Sequence, residues 1–378
     1  MPVDRSRPYI GGQAVLEGVM MRAPTSFAVV VRRRDGSLHL REHAVADQER
    51  GMARWPFVRG IAGVVESLRL GSEALRFSAE QLEIDMGGPS SVRSAGLGVL
   101  SAFGLAVVAL LTRDDVGGPG STPPASDRRA SAGGFLMLGL AIGFFVALPQ
   151  GVAAAANRLL HLGLEVQSAP FQAMTGAIKL AVVVGYLLLI RRVPEIRRVF
   201  QYHGAEHKTI STYEAGEPLT VPNARAKTTL HPRCGTTFLV MVALVSILVF
   251  TVVGATLPRI HTGSALLDNL VFFAEKLPFL PVLVAITFEL QRLLARHASS
   301  GPLRVLLWPG FLVQRITTAE PDDAQLEVAL ASLRATLVRQ GPRAGALDAA
   351  DLRFPSFDAL VSAQAALRAP ARSVKAER

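Results

Sequence analysis

Cysteine is almost missing from this 378-residue chain: Cys234 is its one thiol. An internal disulfide is therefore excluded, and a reducing compartment is the expectation. Aromatic residues make up only 6% and charged residues 19%, yet hydrophobic residues reach 50%. The apolar excess comes from Leu, Val, Ala and Gly, the residues that pack helices in lipid, which argues against an ordinary soluble domain. A cleavable secretory signal is not expected either, because Met1 to Pro8 is polar and no apolar core follows. Acidic residues are in deficit, giving a formal charge of +10. The excess Lys and Arg gather at Arg32–Arg34, Arg191–Arg198, Arg292–Arg304 and the C-terminus, mostly beside apolar runs. That pattern orients membrane proteins, so the expected partners are membrane lipids and an unknown substrate rather than nucleic acid.

Long apolar runs are what the chain has instead. Phe135 to Ala156, Phe171 to Ile190 and Thr236 to Leu257 have the length a bilayer core requires. Leu266 to Leu294 is broken by Asp268, Glu275, Lys276, Pro278 and Pro281, which places a fourth span at Leu277–Leu294 after a short outer helix. Ser94 to Leu111 is apolar but rich in Gly, Ala and Ser, and a Gly/Pro/Ser/Asp linker, Asp114 to Ser131, follows it. It reads as a re-entrant or interfacial helix, and as a fifth span if it crosses. The fold class is thus mainly α, a polytopic helical membrane protein with a small N-terminal β-hairpin and helix region. Basic flanks at Arg191–Arg198 and Arg292–Arg304 put both chain ends and the loop between the spans in the cytoplasm, with the protein in the bacterial inner membrane.

The expected organisation is an N-terminal cytoplasmic region (1–93), an apolar helix with linker (94–134), a transmembrane hairpin (135–190) and a cytoplasmic loop (191–235). A second transmembrane hairpin (236–294), a C-terminal cytoplasmic helix region (295–340) and a basic disordered tail (341–378) complete it. Within the first region, Phe27 to Arg33 and Ser37 to His43 flank an Asp35-Gly36 turn and predict a hairpin. Ile61, Val64, Val65, Leu68 and Leu75 recur at helical spacing and predict an amphipathic helix over Phe57–Glu83. Thr317 to Asp323 reads as an acidic N-capping segment for a helix over Ala324–Leu337. Glu289, costly in lipid, takes Arg292 as its expected partner.

The chemistry lies in the loop. Tyr202-His203-Gly204-Ala205-Glu206-His207 has the H-x-x-E-H order, which on a helix puts two imidazoles on one face with a carboxylate beside the second. A catalytic zinc site uses three protein ligands and one water, whose pKa falls to about 7, with a carboxylate as base. His203 and His207 fit two ligand roles and Glu206 the base. His231, Cys234 and Glu214 compete for the third position; a thiolate favours a structural site, His or Glu a hydrolytic one. With all four donors, His203, His207, His231 and Cys234, engaged, the site would be closed and the protein a membrane scaffold. Upstream, Gly11-Gly12 precedes a polar triplet, Gln13, Glu17 and Arg22, that is a further candidate for the site.

GGQAVLEGVMMR, WPFVRG, YHGAEHKTISTYE, HPRCGTTFL, TFELQRL and PGFLVQRITTAEPDDAQLEVAL occur in that order between apolar spans. In these blocks, over most of Gly11 to Leu333, the chain resembles the YqhQ-like bacterial membrane proteins. The resemblance implies a multi-pass inner-membrane protein of a family without assigned function, described in general terms as predicted metal-dependent enzymes. It implies that the His/Glu and His/Cys blocks form the site, and supplies no substrate.

Overall fold

In a computed structural model, residues 8–45, 55–86, 148–257, 262–297, 302–340 and 350–368 are described. The N-terminal strands β1 (Gly11–Val15), β2 (Gly18–Ala23), β3 (Ser26–Arg32) and β4 (Leu38–Ala44) form an antiparallel meander. The β3–β4 pairing, Ser26↔Ala44 to Arg32↔Leu38, is the predicted hairpin, and Gly36 takes its positive φ of 85° in the turn. The β1–β2 hairpin was not foreseen. Its tight turn, Leu16-Glu17, puts Glu17 at φ 52°, and the next residue must be Gly18 because a Cβ there would sit 2.5 Å from the Val30 carbonyl oxygen.

A fifth strand, β5 (Ala350–Phe354), pairs antiparallel with β4, and helix α11 (Phe357–Arg368) follows it. For residues 350–368 this corrects the expectation of a disordered tail over 341–378. The strand is held by ladder hydrogen bonds and by two ion pairs, Arg41–Asp351 (2.8 Å) and Arg353–Asp35 (2.6 Å), while Leu360 of α11 enters the core. None of these signals registers in composition. Residues 341–349 and 369–378 lie outside the described set.

Alternation sorts the strand side chains onto two faces. Met20, Phe27, Val29 and Val31 pack on Leu70, Ala74 and Phe77 of α1 (Val58–Asp85), the predicted amphipathic helix. Val19, Met21, Ala28, Val30, Leu38 and Leu40 point the other way, into a larger core. There they meet Leu326, Ala329, Leu330 and Leu333 of α10 (Asp323–Arg339) and Tyr202, Ala205 and Ile210 of α4 (Pro194–Glu214). With helices on both faces, β3 is buried along nearly its whole length, which is why its sequence is a continuous apolar run rather than an alternation. The expected acidic cap of α10 is a capping box, with Asp322 and Gln325 bonded reciprocally.

The apolar helices emerge from this body. Helix α2 (Leu148–Leu159) precedes α3 (Ala169–Ile190), and the short α5 (Val221–Arg225) leads towards α6 (Gly235–Thr256). α3 and α6 are long and apolar enough to cross a membrane. They pack antiparallel, Gly176 of α3 giving room to Ile247 and Gly254 of α6 to the Gln167 carbonyl. Helices α7 (Ala265–Lys276) and α8 (Leu280–His297), separated by a 3-10 turn at Leu277–Phe279, form a bent pair with a 53° angle. The described residues thus contain two such helices, or up to three if the bent pair is one span, of the four expected. Most of the run Phe135–Ala156, the run Ser94–Leu111 and the linker Asp114–Ser131 lie outside the described residues. Glu289 accepts a hydrogen bond from Arg59 of α1 (2.7 Å), a partner beyond the expected Arg292, so the pair ties α1 to α8.

Candidate metal centre

Helix α4 starts on Pro194, whose missing N–H costs nothing in the first turn, and runs to Glu214. Its buried residues include Tyr202, Gly204, Ala205, Glu206 and His207. Gly204 sits where the segment joining α9 (Trp308–Thr317) to α10 crosses the helix; a Cβ there would lie 2.2 Å from the Ala319 carbonyl oxygen. That close approach brings Thr317 beside His203. The His203 Nδ1 is 2.9 Å from the Thr317 carbonyl oxygen, and the His207 Nδ1 is 2.5 Å from the Thr229 carbonyl oxygen. A carbonyl oxygen only accepts, so both Nδ1 atoms carry a proton, and the Nε2 atoms are the ones turned to the cluster.

Both Nε2 atoms face one place. The His203 Nε2 lies 3.2 Å from the Cys234 Sγ, and one ligand atom from each of His203, His207 and Cys234 falls within 4.8 Å of the others. The rings of the two histidines meet edge to face with centroids 4.4 Å apart. The His207 Nε2 is buried and has no hydrogen-bond partner in the protein. Cys234 caps the N-terminus of α6, its sulfur accepting the Thr236 N–H at 3.3 Å. Burial raises its thiol, but the charge and hydrogen bond of His203, joined by His207, outweigh this and hold it well below the ordinary value. Burial likewise opposes protonation of His203, yet the Cys234 charge and hydrogen bond, with Glu206 and the Thr317 carbonyl, bring it up to about 9.

Glu206 is 5% exposed, and burial raises its carboxyl despite the neighbouring imidazoles of His207 and His203. Strand β1 runs directly over it: a Cβ on Gly12 would lie 2.7 Å from the Glu206 Cγ and Oε1. The N-terminal block therefore reaches the site through a glycine rather than through its polar triplet. Gln13 packs against Gly71 of α1, Glu17 receives Arg198 (2.6 Å) and the Tyr202 hydroxyl (3.2 Å), and Arg22 pairs with Glu66 (2.6 Å).

His231 is buried beside the cluster, its ring centroid 5.7 Å from that of His207, but both its nitrogens are engaged elsewhere. Its Nδ1 accepts the Arg233 N–H at 3.4 Å and its Nε2 lies 3.3 Å from the Glu214 carboxylate, which also pairs with Arg233. Burial lowers its pKa, keeping the ring neutral. Glu214 is thus a partner of His231 and Arg233 and lies outside the three-residue ligand group. Gln314 of α9, fully buried, clamps the His231 backbone from both sides, accepting its N–H (2.9 Å) and donating to its carbonyl (2.8 Å). A third bond runs from Gln314 to the Thr237 hydroxyl (2.6 Å). Gln314 and the Thr317 and Thr229 carbonyls were not among the sequence candidates; for the two carbonyls no side-chain signal exists.

A mainly helical protein with an N-terminal antiparallel sheet, apolar helices of membrane-crossing length and a buried His/Cys cluster is the class this structure defines. Residues 55–339 match the family described as Protein of unknown function (DUF1385), and the chain belongs to it. It is also 30% identical over 339 residues to the Uncharacterized protein YqhQ of Bacillus subtilis (strain 168), covering 87% of this chain and 92% of that protein. No solved structure matches the chain.

Proposed function

We propose that this is a metal-dependent hydrolase of the bacterial inner membrane, with its site at the cytoplasmic face. The observation that carries the reading is the convergence of ligand atoms from His203, His207 and Cys234 within 4.8 Å of one another, where the buried His207 Nε2 has no well-formed hydrogen bond. Buried polar atoms without partners are rare in native proteins and are costly unless something completes them. Two imidazoles oriented by carbonyl acceptors, with His203 giving up its Nε2 proton to solvent as an ion enters, plus a thiolate, are a donor set that suits zinc among the divalent ions. The residues present therefore fit the metal, with His203, His207 and Cys234 holding it. When bound, such an ion supplies a Lewis acid and a water with pKa about 7.

The chain's own residues do the rest. The Glu206 carboxylate, raised by burial and one residue before His207, is set to take a proton from a nucleophile and return it to a leaving group. Gly12 and β1 close the side of the site above Glu206 and exclude water there. Gln314 and the carbonyls of Thr229 and Thr317 hold the two histidine-bearing segments in register. The engagement of both His231 nitrogens leaves three protein ligands, and so an open position.

The alternative is a non-catalytic scaffold in which His231 fills that position; its burial and the 5.7 Å ring separation from His207 favour it. Elemental analysis of detergent-purified variants separates the two. His203→Ala or His207→Ala should lower metal occupancy by about tenfold or more, whereas His231→Ala should keep it. Glu206→Gln should retain the metal yet fail to complement a deletion strain. Stoichiometric metal in the His203/His207 double variant ends the metal reading; full complementation by Glu206→Gln, or metal loss in His231→Ala, favours the scaffold.

A further inference from the structure

The chain has two tryptophans, and both stand on the surface, Trp55 63% and Trp308 57% exposed. Each sits at the start of a helix. Trp55 leads into α1 and gives its carbonyl to Arg59, and Trp308 is the first residue of α9. Each is also one end of an exposed apolar stripe. Along α1 the stripe continues through Phe57, Val58, Ile61 and Val65, positions that share one face of a helix. Around Trp308 it comprises Val305, Leu306 and Leu312.

The opposite faces of both segments are packed. Gly60 of α1 lies under Phe288 of α8, and Gly310 of α9 lies under Thr237 of α6. Contiguous exposed apolar surface of this kind requires a cover. Three contacts set the level at which the stripes lie. Gln291 of α8 donates to the Cys234 carbonyl at the start of α6 (3.3 Å), Arg191 at the end of α3 donates to the Arg315 carbonyl of α9 (2.6 Å), and Arg59 of α1 pairs with Glu289 of α8. The stripes therefore lie at one common end of α3, α6 and α8. They run on into the exposed apolar flanks of those helices, Leu239 of α6 and Leu293 of α8, with Arg191, Arg192 and Arg315 alongside. Tryptophan at the end of an apolar helix, bordered by arginine, is the pattern of a membrane–water interface.

We propose that the first turns of α1 and the helix α9 lie flat in the headgroup layer of the bilayer, which covers both stripes and holds the His203–His207–Cys234 cluster at the membrane surface. The link to the cluster is short and runs through hydrogen bonds: α9 carries Trp308 and Leu312 on its outer side, and on its inner side Gln314, which holds the His231 backbone, and Thr317, whose carbonyl accepts from His203 Nδ1. A protein cover would have to match two separate stripes and stop at the flanks of α6 and α8. A lipid cover is continuous with those flanks. The inference rests on the membrane reading and is independent of the metal.

The two tryptophans make the test direct. Trp55→Phe and Trp308→Phe each leave one reporter, in full-length protein reconstituted into vesicles of phosphatidylcholine and phosphatidylglycerol. Part of the phosphatidylcholine carries bromine either high on the acyl chains or near their ends. Co-flotation of protein with vesicles checks the membrane reading separately. The expected result is blue-shifted emission from each reporter, quenched about twofold by shallow bromine, less by deep bromine, and weakly by acrylamide. Strong acrylamide quenching without bromine quenching would place the residue in water. Quenching by neither would place it under a second copy or another protein, and stronger deep than shallow quenching would place it inside a span. Each of these three overturns the proposal. Should a Phe variant fail to reconstitute, Trp→Tyr at the same position keeps the ring and an interfacial hydroxyl, and its emission is separable from that of the remaining tryptophan.

Discussion

Adding one methyl group at Gly12 tests whether strand β1 is part of the site. The new Cβ would meet the Glu206 Cγ and Oε1 at 2.7 Å and the Cδ at 2.8 Å, where ordinary contact begins at 3.4 Å. Three atoms of one side chain are thus about 0.7 Å too close, and retreat is limited. Glu206 is buried between His203 and His207, and its helix is pinned at Gly204 by the Ala319 carbonyl. Overpacking of this size costs about 1–3 kcal/mol. The cost should vanish once Glu206 is cut back, so Gly12→Ala should be nearly neutral in a Glu206→Ala background. Unfolding of the wild type, both single variants and the double variant in detergent gives the coupling. It should be about 1–3 kcal/mol, well above the roughly 0.3–0.5 kcal/mol scatter of independent sites. Under the hydrolase reading, Gly12→Ala also retains metal, because no ligand moves, but complements poorly because the base is displaced. Equal costs of Gly12→Ala with and without Glu206 would refute the contact and the role assigned to β1.

Gln314→Leu is close in size but strips the His231 N–H, the His231 carbonyl and the Thr237 hydroxyl of their partner, so it should destabilise by about 2–4 kcal/mol, and unchanged unfolding would contradict the clamp. His43 lies 3.0 Å from Glu73 and its pKa is raised chiefly by that hydrogen bond, against burial. The stabilisation is therefore full below the unfolded value near pH 6.5 and is lost as pH rises through the folded pKa. Imidazole titration by NMR should show the midpoint falling in Glu73→Gln, with the stability gap between variant and wild type closing at alkaline pH. Because the sheet, α4 and α10 share one core, cysteines placed at the exposed positions Arg34, Thr220 and Ala324 in a Cys234→Ser background should behave alike. All three should resist an impermeant thiol reagent in intact cells and react after permeabilisation; labelling of any one alone would contradict the shared compartment.

How much of this was legible in the sequence depended on whether the signal was local. The helical placement of His203, Glu206 and His207 follows from their spacing, and α1, α10 and the β3–β4 hairpin follow from periodicity, a capping pattern and an Asp-Gly turn. The β1–β2 hairpin was missed because its turn uses Glu17 at a positive φ, where the usual sequence signal is Asn or Gly. Gly11-Gly12 was therefore read only as leading into a candidate polar triplet, when the close approach of Gly12 to Glu206 is what brings this strand to the site. Strand β5 has a polar composition and gains its identity from an edge of β4 some three hundred residues earlier, which no window can show. The Arg59 partner of Glu289 was missed for the same reason. Arg292, one turn away, was the local choice, and Arg59 arrives only when α1 packs on α8.

Helix α4 is the piece on which these long-range contacts converge. One side of it, Tyr202, Ala205 and Ile210, is sealed into the core with the sheet and α10. The other presents His203 and His207 to Cys234, which begins the apolar helix α6. The direct contact of α4 with the start of that helix is the 3.2 Å approach of His203 to a single sulfur, beside the Gln314–Thr237 bond from α9. A displacement of α6 by about 1 Å would break it, and hydrogen-bond strength falls steeply over such a distance. An ion held by all three residues would tie the two parts together with far more than one thiol–imidazole contact, and at a free concentration of about 100 times Kd would add roughly 2.7 kcal/mol of stability. In that arrangement the ligands would serve two ends at once: the same bonds that would hold an ion beside Glu206 would fix the core against the start of α6. Loss of metal and loosening of the core from α6 should then occur together. A catalytic site placed wholly within either part would not produce that coupling.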